Sequence, residues 1–185
     1  MVPKYHSPNS LSGRVLAASP KLLDPNFRES LIYMAEHDAE GSFGLILNRP
    51  TGKTLGEMVS VDMPKAVANL PLYLGGPVSP KNVLVAVFEK GLSQTCIACR
   101  ITTANEELAK VVGKKNTWVR AFAGYSGWGQ GQLAGELKEE SWRICPPTAA
   151  LFDEKNLDGI WRVYAHESDR WERLLPFVPD DPSRN

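Results

Sequence analysis

The sequence predicts an α+β fold in one domain, built on a largely antiparallel sheet. Three observations carry this. The 185 residues fit one domain with a real core. Short β-like runs alternate with short helical runs without the regular βαβ spacing of a doubly wound fold. Two apolar runs, Leu31–Ala35 and Ser42–Leu47, flank His37-Asp38-Ala39-Glu40-Gly41, a glycine-containing segment of hairpin-loop length.

The elements follow in order. Arg14–Ala18 is β-compatible. Asp24-Pro25-Asn26-Phe27 reads as one helical turn, with Asp24 as N-cap and Pro25 in the first helical position. Leu31–Ala35 is apolar on both alternating faces, which suits a strand covered on both sides. In Ser42–Leu47, Phe43, Leu45 and Leu47 share a face. Thr54 and Glu57 form a capping box ahead of Leu55, Met58 and Val59. Leu72–Leu74 is a short strand ending at Gly75-Gly76-Pro77. Val83–Phe88 is a strong strand and Cys96–Thr102 a weaker one. Thr103 and Glu106 form a second capping box, whose helix buries Ala104, Leu108, Val111 and Val112 and stops at Gly113. Trp118–Ala123 is a strand, Gln132–Glu140 a helix, and Pro146-Pro147 breaks the chain before a short helix from Thr148. A last helix spans Gly159–Ala165. Residues 1–12 read as a loose arm, 13–175 as the domain and 176–185 as a flexible tail.

Composition narrows the function. Lysine plus arginine number 21, as do aspartate plus glutamate. No basic run stands out, so duplex nucleic acid is an unfavoured partner. No stretch of about 18 apolar residues implies a membrane span. The first twelve residues lack the apolar segment of a secretory signal, which points to the cytoplasm. Three cysteines, an odd number, do not suggest a disulfide framework.

Several constellations invite a chemical reading. Gly124-Tyr125-Ser126-Gly127-Trp128-Gly129-Gln130-Gly131-Gln132 lies between a strand and a helix, where backbone amides can hold an anion. Gly129, Gly131 and Ala134 match the dinucleotide fingerprint, but Pro146-Pro147 interrupts the strand and acid that should follow. Ser126 misses the nucleophile elbow because the second glycine comes one residue early. Cys96 and Cys99 have redox-motif spacing, yet their strand-like flanks point the two thiols to opposite faces, which favours half-buried structural thiols. A metal would need ligands that Cys145, His6, His37 and His166 do not supply together, so no metal and no cofactor are expected. His37, Asp38 and Glu40 cluster at the hairpin tip. Arg49, in Asn48-Arg49-Pro50, offers a planar fork for a carboxylate or phosphate, or else a salt bridge or carbonyl contact that finishes the strand. Of the five tryptophans, Trp118, Trp142, Trp161 and Trp171 read as core, and Trp128 as partly exposed.

Gly13–Ala18, Asp24-Pro25-Asn26-Phe27, Ser30, His37, Gly44-Leu45 and Asn48-Arg49-Pro50 together resemble the bacterial AlgH/YqgE family. So do Gly75-Gly76-Pro77, Gly124-Tyr125, Gly127-Trp128, Gly131-Gln132-Leu133 and Glu136. The likeness runs from Ser12 to Leu174. It implies a bacterial cytosolic protein whose bent sheet curls toward a barrel and is flanked by helices. It assigns no reaction. Some members carry a transcriptional-regulator label tied to exopolysaccharide control, without a recognisable DNA-binding element, and this chain shows none either. The cysteine pair is not part of the family pattern.

Three readings follow. The first is a non-enzymatic binding or regulatory module for a small anion, a peptide or a protein. Its expected binding residues are Asp24, Asn26, Phe27, His37, Asn48, Arg49, Gly75, Gly76, Gly124, Tyr125, Ser126, Gly127, Trp128 and Gln132, converging on one face. The second is an enzyme using His37, with Asp38 or Glu40, near Arg49. The third is the nucleic-acid binder of the family label.

Overall fold

A computed structural model describes residues 10–93 and 95–166, without the side chains of Asn156, Asp158 and His166. The expectations for residues 1–9, for His6, for Trp171 and for the tail from 176 lie outside the described residues. Ser10, at the described end of the expected arm, donates through Oγ to the carbonyl of His37.

The fold is α+β, as expected. Nine strands form one mixed sheet: β1 (Val15–Ala18), β2 (Leu31–His37), β3 (Gly41–Ile46), β4 (Pro50–Thr54), β5 (Pro71–Leu74), β6 (Val78–Lys90), β7 (Ile97–Thr102), β8 (Thr117–Gly129) and β9 (Trp142–Cys145). The order is β4-β5-β8-β3-β2-β1-β9, with β6 pairing both β8 and β7. Every pairing is antiparallel except β5 with β8. Five short helices accompany them among the described residues: α1 (Leu55–Met58), α2 (Lys65–Ala68), α3 (Glu106–Ala109), α4 (Gln132–Lys138) and α5 (Leu157–His166). Two 3-10 turns, Ala149–Phe152 and Glu154–Asn156, lead into α5.

Burial explains why the sheet bends. One core gathers Val15, Tyr33, Leu45 and Leu47 from β1–β3 and the residue after them, together with Tyr73, Phe88 and Phe122 from the other half. The two halves face each other across these side chains, and Leu157, Ile160 and Tyr164 of α5 cover the end. The alternate residues of β1–β3, such as Leu16, Ile32 and Ile46, pack outward against Leu133 of α4 and two tryptophans. Val85, Val119 and Ala121 pack against Leu55, Val67 and Leu108 of α1–α3. Strands apolar on both faces are what this double coverage demands. The sheet is bent, but it is not closed into a barrel.

The hairpin forms where expected, with His37 opposite Ser42 and a bulge between Met34 and Glu36. Thr54 donates to Glu57 Oε2 from its backbone N–H at 2.7 Å and its hydroxyl at 2.9 Å, the carboxylate half of the expected box. The second box is corrected. Asn105, not Thr103, caps α3, its Oδ1 accepting from the Leu108 N–H at 2.9 Å. The α3 turn therefore starts two residues later, and Ala104 is exposed.

The larger correction concerns Gly124–Gly129. These residues are no loop; they continue β8, whose first half pairs with β6 and whose second half pairs with β3. Glycine is poor strand material, which disguised them. At Gly124 the reason for glycine is close backbone approach: a Cβ there would lie 2.5 Å from the Gly76 carbonyl oxygen, and the facing turn is constrained in the same way. A Cβ on Gly75 would lie 2.3 Å from the Gly124 carbonyl oxygen, and one on Gly76 would lie 2.3 Å from the Tyr125 carbonyl. Phe43 stands directly opposite Gly127, and its ring lies 4.9 Å from that of Tyr125. The two aromatics thus cover the bare glycine strand, a known way of protecting such positions.

Candidate functional site

Asp24 begins a single turn. Its Oδ1 accepts from the Asn26 N–H at 2.7 Å, and its carbonyl accepts from the Arg28 N–H at 2.7 Å. Arg49 reaches back to this turn from the end of β3. Its Nη1 donates to the Asn26 carbonyl at 2.6 Å and its Nη2 to the Arg28 carbonyl at 2.9 Å. Asn48 completes the clasp, Oδ1 accepting from the Leu31 N–H and Nδ2 donating to the Glu29 carbonyl, both at 2.8 Å. Much of the Arg49 fork is therefore spent on carbonyls.

Asp24–Phe27, Asn48–Pro50, Gly75–Pro77 and Gly124–Trp128, the four stretches that hold most of the expected binding residues, do meet. The Leu74 N–H donates to the Arg49 carbonyl, and the Gly75 carbonyl accepts from Ile46 N–H at 3.0 Å and from Ser126 Oγ at 3.1 Å. Yet the glycine half of this junction is sealed. Gly75 and Gly124 are buried and Ser126 is fully so, while Gly76, Tyr125 and Gly127 are half-buried. Trp128 is 5% exposed, which corrects the expectation of an exposed ring. Its indole N–H donates to Glu136 Oε2 at 2.9 Å, and so does that of Trp142 at 2.7 Å. Gln132 donates to the other carboxylate oxygen at 2.9 Å. Phe27 stacks 6.2 Å from Trp128 and meets Trp142 edge-on at 5.6 Å. Phe27 and Trp128 thus belong to a packed aromatic cluster under α4, and the exposed Gln132 braces the carboxylate that caps it.

His37 stands elsewhere. Its Nδ1 lies 2.8 Å from Ser42 Oγ, and Asp38 Oδ1 accepts from the Glu40 and Gly41 N–H groups. Arg49 sits at the opposite end of the hairpin, about 20 Å away at the usual rise per strand residue. A single site containing both is not formed.

The open face of the junction is a cleft of about 610 Å3. Arg28, Glu29, Asn48 and Arg49 line one side, and Trp161 and Arg162 of α5 the other. Burial pushes the Arg49 pKa down and the nearby Arg28 guanidinium adds to this, while Asp24 partly offsets both. The ion pairs among the described residues, Lys21 with Glu140 and Lys110 with Glu107, include none of the three cleft arginines. Arg162 escaped the sequence reading because only the fold brings α5 beside the end of β3.

A fourth arginine lies beneath. Arg120 of β8 is 2% exposed. Its guanidinium sits 4.3 Å from the Tyr73 ring centre and 5.1 Å from that of Phe152, and Nη1 donates to the carbonyls of Leu47 at 3.2 Å and Leu151 at 3.3 Å. Nη2 is buried with no hydrogen-bond partner among the described residues. A buried donor left so costs about 1–3 kcal/mol. Burial lowers the Arg120 pKa, offset in part by Tyr73 and Glu154. The available signal was position: Arg120 shares its strand face with Trp118 and Phe122, which is unusual for a solvated arginine.

The thiols carry no cluster. All three are free, and no group of three or more His, Cys, Asp or Glu able to hold a metal occurs among the described residues. Cys96 is exposed, a correction to the half-buried expectation, because it precedes β7 rather than lying in it. Burial pushes Cys99 up to about 12 and Cys145 up to about 11, from an ordinary 9.0. A raised thiol pKa stabilises the fold fully below the unfolded value. That stability drains as pH rises from the ordinary thiol value through the folded ones. The midpoint of thermal unfolding is therefore expected to fall across that alkaline window. At neutral pH a thiol reagent is expected to label Cys96 first; equal labelling of all three in the folded protein would contradict the half-burial of Cys99 and the burial of Cys145.

Fold and cleft together define a mixed α+β protein with a bent open sheet and a basic surface cleft at the junction of its two halves. The chain belongs to the AlgH-like family, whose model matches residues 15–170. It is 34% identical over 190 residues to a UPF0301 protein of Streptomyces avermitilis, with 96% of each chain covered. It is 32% identical over 168 residues to one of Pseudomonas entomophila, with 85% of each covered. The solution structure of the AlgH protein from Pseudomonas aeruginosa superposes with a TM-score of 0.64 at 28% identity, covering 93% of this chain and 96% of that one. A crystal structure of a Corynebacterium diphtheriae protein gives 0.58 at 26% identity, covering 77% and 79%.

Proposed function

We propose that this chain is a non-enzymatic binding module whose ligand is a small anion, a phosphate or carboxylate group held in the arginine cleft. One observation carries the reading: Arg28, Arg49 and Arg162 share one cleft of ligand size, and none of them makes an ion pair among the described residues. Glu29 in the wall and Asp24 near Arg49 offset part of this charge, leaving an excess of one positive charge among these five groups. Guanidinium forks suit planar or tetrahedral oxyanions, and a polar wall suits them better than an apolar ligand. Arg49 acts mainly as the frame, while the exposed Arg28 and Arg162 supply contacts.

An enzyme built on His37 and Arg49 loses its geometry with the distance between them. The even charge balance of the whole chain gives duplex nucleic acid little purchase. No helix among the described residues is long and apolar enough to cross a membrane. We place the module in the cytoplasm, a reading favoured by three unpaired thiols.

Thermal shift with inorganic phosphate and, separately, citrate tests this. Saturating anion is expected to raise the unfolding midpoint by about 5–10 degrees, as ligand linkage requires at about 100 times the dissociation constant. The Arg28→Ala, Arg162→Ala double variant should fold normally and lose the shift. An equal shift in the double variant would refute the site. Arg49→Ala is a poor probe, because loss of its carbonyl bonds destabilises the chain itself by about 1–3 kcal/mol.

A further inference from the structure

We propose that Arg120 is the positioning residue of the arginine cleft, tying its two walls together from below; the inference rests on the anion-binding reading above. The guanidinium bonds two carbonyls from separate parts of the chain. Leu47 immediately precedes Asn48 and Arg49, which form one wall. Leu151 belongs to the strap of 3-10 turns from Ala149 to Asn156, which runs directly into α5 and so carries Trp161 and Arg162 of the other wall.

The strap is fastened around this arginine. Phe152 lays its ring over the guanidinium and stacks on Trp118, with centroids 4.7 Å apart and planes 18° apart. The Tyr73 ring lies 4.3 Å from the same guanidinium, and its hydroxyl donates to Glu154 Oε1 at 3.4 Å. A packed aliphatic side chain would fill the same space without burying a charge. What an aliphatic chain lacks is the Nη1 amino group that donates to both carbonyls, and a further positive charge behind an anion site. The unpartnered Nη2 keeps part of that charge unspent.

Trp118 is a built-in reporter. It lines the strap contact and is not among the cleft residues, so a response there means that the strap senses the anion. The experiment titrates inorganic phosphate into the full chain while recording 15N indole signals and affinity. In the wild type both Trp161 and Trp118 signals should move. Arg120→Lys, which keeps the charge but ends one atom short of Nη1 and lacks the flat group that meets the Tyr73 and Phe152 rings, should weaken phosphate binding by about threefold, and Arg120→Met by about tenfold; both should silence Trp118. Phe152→Leu leaves Arg120 and the cleft intact but loosens the strap, so it decides the matter if the Arg120 variants do not fold. It should weaken phosphate binding by about threefold and uncouple Trp118. Wild-type affinity in both Arg120→Lys and Phe152→Leu, with loss only in the Arg28→Ala, Arg162→Ala variant, would overturn this inference and leave the cleft standing. No phosphate or citrate binding by the wild type would remove both.

Discussion

Glu136→Ala is expected to lower the unfolding free energy by about 2–4 kcal/mol, because it orphans two buried indole donors at once. One carboxylate oxygen accepts from Trp128 and Trp142, and the rings it holds are each 5% exposed. These rings and Phe27 join α4 to β8, β9 and the turn before β2, so the loss is not confined to one helix. Glu136→Gln keeps an acceptor oxygen and should cost about half as much. Urea unfolding followed by tryptophan emission measures both. A Glu136→Ala protein with wild-type stability and an unshifted emission maximum would mean that the indoles find other partners.

A still larger loss is expected for Gly75→Ala, about 4 kcal/mol or more, enough to leave little folded protein. The added methyl would meet the Gly124 carbonyl oxygen at 2.3 Å and Phe122 Cβ at 3.1 Å. Neither can yield cheaply. Gly124 lies in the middle of the central strand, and Gly75 bonds at the same point to Ala123, Ile46 and Ser126. Gly129→Ala is the control, since nothing lies within 4 Å of its Cβ position and its φ is ordinary. Melting curves of the two variants should separate widely; near-identical midpoints would show that β5 and β8 are not as close as described.

These two residues also mark what the sequence makes visible. The hairpin and the Thr54–Glu57 cap are legible because local chemistry specifies them: alternating apolar residues around a short turn, and a side chain three residues from its cap. The double burial of β1–β3 is legible as apolar runs on both faces. The continuation of β8 through Gly124–Gly129 is not, because Gly124 answers to the backbone of Gly76, Val78 and Pro80, more than forty residues earlier in the chain. Local propensity reads glycine as a turn. The convergence of the DPNF, NRP, GGP and GYSGW segments is visible as a set of unusual residues outside apolar runs. Which half of the set is sealed depends on packing, and Trp128 shows how an aromatic flanked by glycines becomes core once a carboxylate takes its indole proton. Arg162 reaches the cleft, and Arg120 the Leu47 and Leu151 carbonyls behind it, through tertiary structure alone.

NMR spectra of the chain with 15N-labelled arginine side chains, titrated with inorganic phosphate at low salt, test the anion cleft most directly. Saturable shifts at Arg28 and Arg162, with exposed Arg100 unmoved, are the expected result. Weak, unsaturated shifts spread equally over all the exposed arginines would contradict it.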